Sequence, residues 1–170
     1  MKKIFLSISV CSIALGLFLY FYTFPVPIQQ VHRAVQFNYG DPQSVEHTRV
    51  YIDGVLERPI GRDHYFKGSM IWEHLDRTKT YETQIWIRRN EMAVISYFGM
   101  NQDGTPSVFF LGRAQVEGEF AQIFVELAPE EEVNTRQTER SFLAAPAGSY
   151  EEGMNMIQDD YEVHYSSLKE

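Results

Sequence analysis

The chain has 170 residues, 44% hydrophobic and 22% charged, with 15 basic and 23 acidic side chains and a net charge of −8. That acidic balance argues against nucleic acid as a partner, because holding phosphates takes an excess of Lys and Arg. Cys11 is the only cysteine, so no disulfide forms within the chain.

Lys2 and Lys3 precede an uncharged apolar run over residues 4–24. As a helix those residues reach roughly 31 Å, enough to cross the hydrocarbon core of a bilayer once. A cleaved signal peptide has a shorter apolar region followed by a small-x-small site. Here the pair of that kind, Ala14 and Gly16, lies mid-run, and the run closes on Thr23-Phe24-Pro25-Val26-Pro27. A lipoprotein needs a small residue before its cysteine, and Val10 stands there. The expectation is a retained transmembrane signal anchor over 1–24. Its lysines stay in the cytoplasm, and Tyr20, Phe21, Tyr22 and Phe24 lie at the far headgroup level. Localisation follows: cell membrane, single-pass, N-terminus cytoplasmic, with the rest of the chain extracytoplasmic.

Setting Lys2 and Lys3 aside leaves 13 basic against 23 acidic residues in the remaining chain, which is large enough to bury one core without disulfides. We divide it into a juxtamembrane segment and first strand over 25–44 and a β-rich domain over 45–170. Period-two alternation dominates. Val31, Val35, Phe37 and Tyr39 share one parity, as do Tyr81, Thr83, Ile85 and Ile87, and Ala121, Ile123, Val125 and Leu127, each set being assigned to a core-facing side. Further β-rich runs cover 48–52, 64–72, 92–98, 107–111 and 140–144. Asp41-Pro42, Asp53-Gly54, Arg89-Asn90, Asp103-Gly104 and the Gly118 region read as turns between them. About eight short strands without crossover helices predict a mainly β fold, an antiparallel β-sandwich or a partly open meander barrel.

Residues 129–136, with Glu130, Glu131 and Glu132, read as a loop or a single helical turn. Ser149 and Glu152 have capping-box spacing, and Tyr150, Met154, Ile157 and Tyr161 recur at helical intervals, predicting one C-terminal helix over 150–161 packed on the sheet. Tyr161, Val163 and Tyr165 then alternate as a last short strand.

The succession Tyr51-Ile52-Asp53-Gly54, Phe66-Lys67-Gly68-Ser69-Met70-Ile71, Gln84-Ile85-Trp86-Ile87 and Ala144-Ala145-Pro146-Ala147 resembles small single-pass extracytoplasmic proteins of bacilli and related Gram-positive bacteria. The resemblance covers about residues 45–165. It implies a compartment and an origin, and it carries over no functional residue.

No catalytic, cofactor or metal residue is assigned. His32, His47, His64, His74 and His164 lack the spacing of a metal pair on a strand or helix, and His64 and His74, flanking one strand, are the pair to compare first. Ser69 and Ser149 lack the flanking glycines of a nucleophile elbow. Glu130–Glu132, Glu151-Glu152 and Asp159-Asp160 are contiguous acids of a solvated face. Asn101-Gln102-Asp103-Gly104 matches a hairpin turn better than a calcium loop. There is no phosphate-cradling glycine loop. Trp72 and Trp86 are the candidate partner surface: Trp86 has the parity opposite to Ile85 and Ile87 and so points outward, unless the C-terminal helix covers it. The expected function is a non-enzymatic binding or accessory protein of the bacterial cell envelope, partnered with the membrane through its N-terminal helix and with an envelope protein. The alternatives are an envelope hydrolase acting on glycans or peptides and a structural subunit of a membrane complex.

Overall fold

The computed structural model describes residues 2–88, 92–101, 103–129 and 140–157, with 2–7 given by backbone alone. Helix α1 (Lys2–Phe21) leads into eight strands: β1 (Val26–Asn38), β2 (Asp41–Glu57), β3 (His64–Trp72), β4 (Glu82–Ile87), β5 (Ala93–Met100), β6 (Pro106–Glu117), β7 (Gln122–Leu127) and β8 (Ser141–Ala145). A single 3-10 turn, Asp76–Lys79, joins β3 to β4, and helix α2 (Tyr150–Asn155) follows β8. Each strand pairs antiparallel with the next and β8 pairs back onto β1, closing a barrel. Of the two architectures expected, the meander barrel is the one formed, and its sheet is closed. Among the residues described with side chains, no helix is long and apolar enough to cross a membrane.

Eight strands enclose a space that side chains alone can fill. Ile52, Phe66, Met70, Trp72, Ile85, Ile95, Tyr97 and Ile123 do so, each essentially inaccessible to water. The Tyr97 hydroxyl donates to the Met70 carbonyl at 2.7 Å. Burial pushes its pKa well up; Thr83 and Trp72 approach the same hydroxyl and hold the shift back, although neither Thr83 Oγ1 nor Trp72 Nε1 reaches hydrogen-bond geometry. At the end where α1 joins, Phe120 plugs the barrel with its ring 4.6 Å from that of Phe66. The β6–β7 turn that delivers it places Glu119 and Phe120 at φ 58° and 70°, a left-handed conformation uncommon for residues other than glycine, and burial of the Phe120 ring offsets the cost at that position.

Two expectations about strands are corrected. Asp53-Gly54 is not a turn: Gly54 lies inside β2, directly opposite Gly68 of β3. The strands approach so closely there that a Cβ on Gly54 would lie 2.8 Å from the Gly68 Cα and from the Phe66 ring. The glycines let the wall bend, and Phe66 covers them. The core-facing side of β1 is also inverted. Ile28 and Ala34 face the barrel interior, whereas Val31 and Tyr39 are exposed and Val35 and Phe37 lie outside the barrel under α2. Thr83 and Ile85, and Ile123 and Val125, face the core as expected. The Asp103-Gly104 and Gly118 turns form, whereas Arg89-Asn90 lies outside the described residues. The expected division at 44/45 falls inside β2, and β1 is a full member of the barrel.

Helix α2 packs on the outside, over Val35, Phe37, Phe124, Phe142 and Ala144. Ser149 caps it as predicted, its Oγ accepting from Glu152 N at 3.2 Å, and the Glu152 carboxylate reaches back to Gly148 N at 2.6 Å. The helix is shorter than expected. Ile157 N bonds to Met154 O, tightening the last turn so that Ile157 tucks into the cluster. Gly153, costly for helix propensity, lets α2 lie against Phe37, whose ring would be 2.5 Å from any Cβ placed there. The stretch 129–136 beyond Pro129 and the strand expected at Tyr161, Val163 and Tyr165 lie outside the described residues.

Candidate interaction surface

The end of the barrel that receives α1 is built from the start of β1, the β2–β3 loop, the end of β4 and the β6–β7 turn. Only residues 22–25 separate α1 from β1. The β2–β3 loop grips this junction: Arg58 N donates to Thr23 O at 2.6 Å, and Arg62 Nη2 donates to Tyr20 O at 2.8 Å. The Arg62 guanidinium also lies over the Tyr20 ring, 5.2 Å from its centroid, where the π face attracts the cation. Arg58 pairs with Glu119, and Arg88 Nε lies 3.5 Å from Asp63 Oδ2. Arg62 has no carboxylate partner among the described residues.

Beside that junction Trp86 stands on the outer wall, 59% exposed, with its ring 4.5 Å from that of its cross-strand partner Tyr65. Its parity in the sequence therefore reads correctly, and α2 does not cover it. Trp72 is the correction: it is 0% exposed in the barrel interior and offers nothing to a partner. The outer face continues on β5 and β6 with Val94, Phe98, Met100, Val108 and Phe110, all exposed, Met100 by 71%. A bulge keeps this face apolar. Ile95 pairs with Gly112 but Ser96 with Phe110, so Leu111 turns into the core while Phe110 stays outside. A signal for this face was present in the sequence: residues 93–100 are apolar on both parities, so one set had to lie outside.

The other candidates do not assemble. His64 begins β3 and His74 lies in the turn beyond its end, so the length of the strand, roughly 26 Å, stands between them. Among the described residues, no group of His, Cys, Asp and Glu could hold a metal ion. Asp103 belongs to its hairpin, accepting from Thr105 N at 3.0 Å and Thr105 Oγ1 at 2.7 Å, and these bonds hold its carboxyl below the usual range.

His74 does enter a polar cluster that sequence spacing could not reveal, at the barrel end opposite α1. Its Nε2 donates to Gln36 Oε1 at 2.5 Å, which leaves Nδ1 to accept from the Thr48 hydroxyl at 2.8 Å. Burial lowers its pKa, opposed by Glu46 and assisted by Lys79. The unfolded chain thus binds this proton more tightly than the folded one. The stability it contributes is complete above the ordinary value of 6.5 and is lost as pH falls through the lower folded value. The thermal midpoint should therefore fall more steeply from about pH 7 to about pH 5 in the native chain than in His74→Gln. Equal slopes in the two would show that the ring is not held neutral.

Comparison of the chain with family models, with curated proteins and with solved structures gave no match.

Proposed function

We infer that this chain is a single-pass membrane protein whose barrel serves outside the cytoplasm as a non-enzymatic binding or accessory module of the bacterial cell envelope. The observation that carries the reading is the bare flank of α1. Ile8, Val10, Ile13, Leu15, Leu17, Phe18 and Phe21 point to all sides of the helix, and each is 54–68% exposed. Covering such a side chain is worth about 1.5–3 kcal/mol, and a helix apolar all round is a buried one. The α1 backbone has 20 residues, a length of about 30 Å, and its sequence is uncharged from Ile4 to Phe21. Lys2 and Lys3 support the orientation. The filled barrel and the exposed outer stripe on β5 and β6 support a role carried by the surface, and the resemblance to extracytoplasmic proteins of bacilli supports the compartment.

Protease added to cells stripped of their wall should remove the barrel and leave a membrane-retained fragment containing α1. A barrel that survives in intact protoplasts and is digested only after lysis would reverse the orientation.

A further inference from the structure

The grip of the β2–β3 loop on the end of α1 limits where the barrel can sit relative to anything that encloses the helix. Four residues, 22–25, join helix to strand, and three contacts bridge the joint: Arg58 to Thr23, and Arg62 to both the carbonyl and the ring of Tyr20. The barrel is therefore not on a flexible tether.

The surface next to this joint has a definite chemistry. Ile60 projects from the loop tip, 56% exposed, beside Arg62, and the Trp86–Tyr65 pair lies on the adjoining wall. Contacts link them in sequence, from Tyr20 to Arg62 and, through its neighbour Asp63, to Arg88 near the end of β4. Trp86 lies one residue inside the end of β4, a depth of about 3 Å along the strand. The headgroup layer on each side of a bilayer is roughly 5–8 Å deep. An exposed Trp with a half-buried Tyr beside it, an aliphatic tip and an arginine that has no carboxylate partner among the described residues are the groups that favour this layer, where one end of the side chain is apolar and the other is wet.

We propose that this rim, comprising Ile60, Arg62, Tyr65 and Trp86, seats in the headgroup layer of the bilayer that α1 enters, so that the barrel docks on the membrane in one fixed orientation. The proposal rests on the anchored reading of α1 and goes beyond it, because an anchored domain can equally stand clear of the lipid. Arg62 serves both sides of the contact. Its guanidinium holds Tyr20 and presents its remaining N–H donors to lipid phosphate.

The full-length protein reconstituted in phosphatidylcholine vesicles tests this, with and without phosphatidylcholine brominated in its acyl chains. Trp72 is sealed in the barrel and Trp86 is not, so the difference between native chain and Trp86→Phe isolates the emission of Trp86. Brominated lipid should lower that emission by about twofold or more. Replacing Ile60 and Arg62 together, Ile60→Asp with Arg62→Ala, should restore most of the emission while the protein still floats with the vesicles. Flotation with no quenching of Trp86 would overturn the docking and leave the anchor standing. Failure of the native chain to float would overturn both.

Discussion

Gly68→Ala is expected to be among the most damaging single changes in the barrel. The added Cβ would lie 2.5 Å from the Gly54 Cα and closer still to the Asp53 carbonyl oxygen, both backbone atoms of β2 that no side-chain rotation can relieve. Strands β2 and β3 would have to part at the point where Phe66 packs across them, breaking ladder hydrogen bonds and loosening the core. A loss of about 3 kcal/mol is expected, lowering the thermal midpoint by roughly 10 °C. Ser69→Ala, on the neighbouring outward position, should stay within about 0.5 kcal/mol. Near-native stability of Gly68→Ala in thermal unfolding would mean that the strands do not approach as closely as described.

The second large effect belongs to α2. Ile157 is buried against the Val35, Phe37 and Phe142 cluster, and Ile157→Asp removes that contact and puts a charge in its place. A loss of about 3–5 kcal/mol is expected, against about 1 kcal/mol for Ser149→Ala, which removes one capping bond and no packing. Urea midpoints of the two variants compare them directly. If Ile157→Asp is as mild as Ser149→Ala, α2 contributes little to the fold, and its apolar side must belong to a contact with another molecule.

Strand alternation made the barrel legible wherever one face met the core and the other met water. The segments around Ile85 and Ile123 read correctly because both conditions hold there. On β1 the rule failed, since α2 buries Val35 and Phe37 on the outer wall while Gln30, His32 and Gln36 occupy the inner parity with Ile28 and Ala34. Asp53-Gly54 misled for a different reason. The dipeptide has the composition of a hairpin turn, but the glycine is required by a partner glycine from another strand, which local sequence does not display. Parity put Trp86 on the outer wall, but that α2 leaves it uncovered came only with the fold. Trp72 was not legible, because two tryptophans on neighbouring strands suggest a shared surface until register places them on opposite faces. The joint of Arg62 with Tyr20 and the cluster of His74 with Gln36 and Thr48 join residues 26 to 42 positions apart, and the register of β1, β2 and β3, which local sequence does not display, brings them together.

Closure itself has a kinetic consequence. Seven of the eight strand pairings join segments adjacent in the chain, but the seam between β1 and β8 joins residues such as Asn38 and Ser141, 103 positions apart. The seam has four registered pairs, Val35 with Ala144 through Asn38 with Ser141, so its contacts repay the entropy of a long loop slowly. The apolar cluster under α2 spans this seam, drawing Val35 and Phe37 of β1 together with Phe142 and Ala144 of β8. On loop-closure grounds the seven local pairings are expected to zip early and the ring to be completed last, by a step that gathers both ends of the barrel and the helix that crosses them. Substitutions beneath α2 should therefore slow refolding as well as destabilise the fold, whereas those in the β5–β6 hairpin should act mainly on the rate of unfolding.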